Sequence, residues 1–247
     1  MIPLFKSHYS IGKSILTLER ESKEGGADSI FSILKENKMK ELFLVEDSFR
    51  GFYEAEKICN DLKIALRFGL RIDYKSTNSE DEDSSKIVIF AKNGNGVKSL
   101  VKISSEAKGG EPWCATTSML KKYWNNDQLI LAIPFYDSFL YNNVMTLKSC
   151  IVDFDFTKPI LIREDNGLPM DFIIKESVES YAKSEGVEIL DAKSIFYKNK
   201  EDVEAFQAYK CITSRKFGAK TLAKPNLDHF GSNEFCFESW KEKNVGR

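Results

Sequence analysis

No Cys-x-x-Cys spacing occurs in the 247 residues, and histidine appears only twice, as His8 and His229. The five cysteines, Cys59, Cys114, Cys150, Cys211 and Cys236, are scattered and odd in number. That pattern argues against a zinc ribbon and reads as buried free thiols in a reducing cytoplasm. The two histidines lie in turn-like segments, where a lone imidazole is ordinarily a surface or hydrogen-bonded residue. No apolar run approaches the ~20 residues that cross a bilayer. The opening MIPLFKSHYSIGKS lacks the pattern of a secretory signal. No membrane partner is therefore expected. Net charge is −1, so no bulk basic field recruits nucleic acid.

The chain is organised around residues 41–74. Leu42, Phe43, Leu44 and Val45 form a short apolar run, as in a strand buried on both faces. Asp47 and Ser48 offer oxygens to cap a helix, and Gly51 loosens the turn. Phe52, Ala55, Ile58, Cys59 and Leu62 follow at helical spacing. Ile64, Leu66, Phe68, Leu70 and Ile72 then alternate as a second strand. This is a βαβ pattern, in which chemistry sits at the carboxyl ends of the strands.

Around that unit, residues 3–9 read as a first strand and 28–38 as a helix capped by Asp28. Residues 75–85 carry no apolar side chain and read as a solvated, disordered hairpin tip. Residues 86–92 read as a strand and 94–107 as a helix opened by Gly94 and Gly96. A GNG triplet before a helix can cradle phosphate, although no Walker lysine accompanies it here. Further along, Thr116 or Thr117 caps a helix, and 129–133 form a strand. Residues 138–147 form a helix, and 150–163 hold one or two strands around Pro159. Residues 171–185 are helical, 187–190 begin a strand, and 200–213 form a helix capped by Asn199. Residues 215–247 read as an extended tail with a short strand at 234–237. Alternating strands and helices predict an α/β barrel or layered sheet. With no repeat or linker to divide it, the chain reads as one domain over residues 1–247.

Several segments together resemble the PHP (polymerase and histidinol phosphatase) domain of the bacterial DNA polymerase III alpha subunit. Phe49, Gly51, Glu54, Ile58, Cys59 and Gly69 fall in register with the family's Asp-His-Gly-containing segment. SHYSIGKSIL (7–16), KIVIFAKNGNGVKSLVKISS (86–105) and SMLKKYWNNDQLILAI (118–133) are similar to family segments in the same order. Asp165–Pro169, Lys200–Ile212 and Lys220–Ser239 extend the match over nearly the whole chain. The resemblance implies a distorted (βα)7 TIM-like barrel of the PHP type. It also implies a free-standing module from a bacteriophage or bacterium, because no polymerase palm, fingers or thumb can be placed.

In that register the family's metal-ligand positions fall on Leu4, Lys6, Val45, Glu46, Arg71, Phe135, Ser194 and Phe196. Leu and Phe offer no lone pair, and Arg never deprotonates in proteins. Only Glu46 and Asp47 remain as oxygen donors. The expectation is a vestigial cleft of Lys6, Glu46, Asp47 and Arg71, with no catalytic residue, metal or cofactor. Within it Lys6 and Arg71 are expected to pair with Glu46 or Asp47, and Lys6, Glu46 and Arg71 to approach one another with the carboxylate between the cations. The chain then reads as a catalytically inactive structural or interaction module in DNA replication, docking on a polymerase body, clamp or exonuclease. Phe217, Phe230, Phe235 and Trp240 are the candidate partner contacts. Two alternatives stand beside this reading. One is a residual metal-dependent phosphoesterase or 3′–5′ exonuclease. The other is a nucleic-acid-binding accessory using Arg215, Lys216, Lys220 and Lys224.

Overall fold

The computed structural model describes residues 1–77, 79, 81–110, 113–214 and 232–244. The chain divides into two compact units. One comprises Met1–Phe68, Glu164–Asp171 and Ala192–Arg247; the other comprises Gly69–Arg163 and Phe172–Asp191.

The first unit opens with β1 (Ile2–Phe5) and α1 (Ile30–Glu36). Ile30, Phe31, Ile33 and Leu34 are all buried, the apolar stripe expected of an amphipathic helix. Its cap is Ser29, not Asp28. The Ser29 hydroxyl accepts from Phe31 N at 3.1 Å and Ser32 N at 3.3 Å, while the Asp28 carbonyl accepts from Thr17 N. β2 (Glu41–Glu46) lies parallel to β1, with Leu4 opposite Phe43 and Phe5 opposite Leu44. α2 (Phe52–Leu62) is capped by Gly51 with no side-chain hydrogen bond. Asp47 and Ser48 do not cap it, because Asp47 binds Lys6 and Ser48 Oγ accepts from Arg50 N. Gly51 is required for close approach. A Cβ there would stand 2.6 Å from the Tyr9 ring and 2.8 Å from Leu18.

β3 (Ala65–Lys75) runs from this unit into the second, where β4 (Ser85–Ala91) pairs with it antiparallel from Gly69↔Phe90 to Tyr74↔Ser85. The connection between them is not solvated throughout. Glu82 is only 3% exposed and accepts from Thr77 N at 3.0 Å, Ser76 Oγ at 2.9 Å and Thr77 Oγ1 at 3.1 Å, and also from Ser76 N. Burial works to raise its pKa, but the two backbone donors and two hydroxyls outweigh that and hold it below the usual carboxylate value.

α3 (Gly94–Gly109) is capped by Asn93, whose Oδ1 accepts from Gly96 N at 3.0 Å. A Cβ on Gly96 would run into the backbone carbonyl of Gln128, so this glycine serves packing. Gly96→Ala is therefore expected to lower stability by ~1–3 kcal/mol through overpacking. The ~1 kcal/mol that alanine ordinarily adds to a helix does not offset this. Urea unfolding checks it, and a stabilised variant would show that the carbonyl yields.

The second unit continues through β5 (Ala115–Thr116) and α4 (Thr117–Tyr123), with Thr116 as the cap. β6 (Leu129–Ile133) and α5 (Phe139–Met145) follow. A single strand, β7 (Ile160–Arg163), occupies 150–163. α6 (Asp171–Glu185) and β8 (Glu188–Ile195) come next, β8 ending in the first unit. There Asn199 forms a capping box with Asp202 before α7 (Val203–Ser214). Residues 234–237 form no strand. Cys236 makes one bridge to Tyr197, and α8 (Phe237–Asn244) follows directly.

Strand order is β2-β1-β8-β7-β6-β4-β3-β5, and β2 also pairs with β3. Seven strands thus close into a ring of pairings, with β5 beyond it. The ring is mixed. β1, β2, β6, β7 and β8 pair parallel, but β4 is antiparallel to both β3 and β6. This corrects the expected (βα)7 TIM-like barrel, which needs every strand parallel and followed by a helix. The β3–β4 hairpin reverses the chain with no helix among the described residues between the strands.

Candidate functional site at the strand carboxyl ends of the first unit

Two buried carboxylates and two buried lysines lie where parallel strands end. Glu46 is the last residue of β2 and fully buried. Its Oε1 accepts from Ser7 N at 2.7 Å and its Oε2 from the Ser10 hydroxyl. Ser10 Oγ in turn accepts from Asp47 N at 3.1 Å. Burial pushes the Glu46 pKa up, opposed by Lys6 and by the Ser10 and Ser7 donors. Lys6 follows β1 and is 6% exposed, and its Nζ lies 3.0 Å from Asp47 Oδ1.

Glu164 follows β7. It accepts from Asn166 Nδ2 at 2.9 Å and from Ser194 N and Oγ, each at 2.8 Å. Burial again raises its pKa, against those donors and Lys193. The Lys193 side chain, on β8, is wholly buried. Its ammonium reaches Asn166 Oδ1 at 3.0 Å, the Asp165 carbonyl at 3.3 Å and Glu234 Oε2 at 3.3 Å. Burial lowers its pKa, and the Lys243 charge adds to that, opposed by Glu234 and Glu164. Asp171 Oδ2 accepts from Asn166 N and Leu168 N, fixing the Asp165–Pro169 turn that brings Asn166 inward.

Of the pairings expected in the cleft, the one between Lys6 and Asp47 is present, whereas Glu46 and Arg71 take other partners. Lys6 bonds to Asp47, and Glu46 takes Ser7 and Ser10. Arg71 on β3 pairs with Asp137 at 2.5 Å within the second unit, a carboxylate the sequence reading did not name. The reason is local. β1 is followed by a turn that brings Ser7 N and Ser10 Oγ onto Glu46, so the neighbouring Asp47 is the carboxylate that meets Lys6. Of the other positions implied by the resemblance, Leu4, Val45, Phe135 and Phe196 are buried apolar side chains, and Ser194 binds Glu164. Phe196 stacks on Phe206 and Phe235.

Phe235 is fully buried, and Trp240 is half-buried with its indole donating to the Met1 carbonyl. Phe217, Phe230, His229, Arg215, Lys216, Lys220 and Lys224 lie outside the described residues. Among the described residues no three His, Cys, Asp or Glu side chains gather as a metal-binding group, and no helix is long and apolar enough to cross a membrane. Sequence reasoning missed Glu164, Asn166, Lys193 and Glu234. The available signal was Lys193 inside the strand EILDAKSI, a charge where an inward apolar residue is usual.

A pH experiment probes the site. Glu164 holds its proton more tightly folded than unfolded. Its contribution to stability is thus fully present below the unfolded value of ~4.3 and is lost as pH rises through the folded value. Glu164→Gln is expected to make the decline in stability above that pH shallower, since the amide can still accept from Ser194 N and Asn166 and donate to Ser194 Oγ. Urea unfolding across the weakly acid to neutral range checks this. An unchanged pH profile would place the titration elsewhere.

No family model and no curated protein matches this chain.

Proposed function

We propose that the chain is a non-catalytic module that works by binding other proteins, and that its setting is DNA replication. The observation supporting a non-catalytic role is the mutual saturation of the strand-end groups. Glu46 is held by Ser7 and Ser10, Glu164 by Asn166 and Ser194, Lys6 by Asp47, and Lys193 by Asn166 and Glu234. General acid–base or metal chemistry needs a group within reach of substrate. Here these carboxylates and ammoniums are spent on the protein's own donors and acceptors. The replication setting rests on the sequence resemblance alone, whose implied fold the strand directions contradict.

Affinity capture with the tagged full chain from its source cells, read by mass spectrometry, tests both halves. Recovery of a polymerase body, clamp or exonuclease supports the proposal, and recovery of no replication protein removes the second half. Stoichiometric zinc, manganese or iron in the purified chain would overturn the non-catalytic half.

A further inference from the structure

At the opposite end of β2 from Glu46, three lysines are brought together by backbone geometry. Lys38, two residues past the end of α1, has φ +54°, and Lys63, the residue after α2, has φ +55°. Each is in the left-handed conformation that glycine normally supplies after a helix. In each case the following amide closes the helix end, Met39 N on the Leu34 carbonyl and Ile64 N on the Cys59 carbonyl, both at 2.9 Å. Ala65 N then donates to the Lys40 carbonyl at 2.8 Å, which ties the start of β3 to the start of β2. Successive Cα atoms of the set Lys38, Lys40, Lys63 are thus at most ~12 Å apart.

All three side chains are exposed. Among the described residues none of the three ammoniums has a hydrogen-bond or ion-pair partner. The carboxylates nearest in sequence are each engaged by another cation. Glu36 meets Lys198 at 3.3 Å, Glu41 meets Arg67 at 2.9 Å and Asp61 meets Arg20 at 3.2 Å. The helix dipole favours one cation at each helix end. It accounts neither for lysine at two left-handed positions nor for Lys40. These three lysines therefore form a small positive patch on the first unit, in a chain whose net charge is −1.

We propose that Lys38, Lys40 and Lys63 form a docking patch for the phosphodiester backbone of nucleic acid. Lysine meets phosphate as a flexible point charge and reads no base, so the patch binds without sequence preference. This goes beyond the protein-binding reading above and stands whether or not that reading holds.

The test is fluorescence anisotropy of the full chain with a labelled 20-nucleotide single strand over a range of salt. Three neutralised phosphates give log K a slope of about −2 against log salt. Lys38→Asn/Lys40→Gln/Lys63→Asn should flatten that slope to near zero, since asparagine tolerates the left-handed conformation and preserves the fold. Lys40→Glu alone leaves both left-handed positions untouched and should weaken binding several-fold, which keeps the test valid if the triple variant unfolds. Lys98→Gln/Lys102→Gln on α3 should change nothing. No binding at low salt, or a slope retained in the triple variant, overturns the proposal. So does binding to phosphatidylserine vesicles without binding to DNA, which would make the patch a membrane contact.

Discussion

Replacing Lys193 by alanine is expected to lower stability by about 3–5 kcal/mol. The lysine side chain is fully buried, and its ammonium binds Asn166, the Asp165 carbonyl and Glu234. Truncation removes the Lys193 charge that favours the ionised form of the wholly buried Glu164 and opens a cavity near the end of β8. A buried ion loses far more when its partner is removed than the intact pair contributes over an apolar substitute. Lys193→Met, which fills the volume without charge, should therefore recover part of the loss. Urea unfolding of both variants at neutral pH decides it. A loss under ~1 kcal/mol for alanine would mean that water enters and solvates Glu164.

Phe196→Ala should cost a similar ~3–5 kcal/mol, for an apolar reason. Its ring stacks on Phe235, at 5.3 Å and nearly parallel, and on Phe206, at 5.7 Å. Its backbone is committed as well, with its N–H on the Phe235 carbonyl and its carbonyl accepting from Ile15 N. The segment before α8 is thus held to the end of β8 by both ring and main chain. A double-mutant cycle with Phe235→Ala should show a coupling of ~0.5–1.5 kcal/mol. Strict additivity would mean that the two rings are held independently.

The elements were legible in the sequence where a single periodicity governs them. α2 and β3 declared themselves through Phe52–Leu62 and the alternation of Ile64–Ile72, and α6 and α7 through their apolar spacing. Strand direction was less legible, although one clue was present. The stretch between Lys75 and Ser85 carries no apolar periodicity for a crossover helix and is too short for one, so it returns the chain antiparallel, which is incompatible with a barrel of parallel strands. Caps slipped where a tertiary partner claimed the side chain, by one residue from Asp28, which meets Lys198, to Ser29, and by several from Asp47, which meets Lys6, to Gly51. The strand-end groups were half legible. Lys6, Glu46 and Asp47 follow from strand ends alone. Glu164 and Lys193 depend on the turn at Asp165–Pro169 and on Glu234, some 40 residues further on, which no local pattern connects.

β1 pairs with β2 nearby, but its other edge belongs to β8, with Ile2 opposite Ala192. β8 is synthesised about 190 residues after β1, roughly ten to forty seconds later at ordinary elongation rates. Throughout that interval one edge of β1 has no native strand to meet. An unpaired strand edge is a template for other chains. The time spent on the ribosome is therefore this protein's main exposure to misassembly, and slowing elongation downstream of β2 would lengthen it.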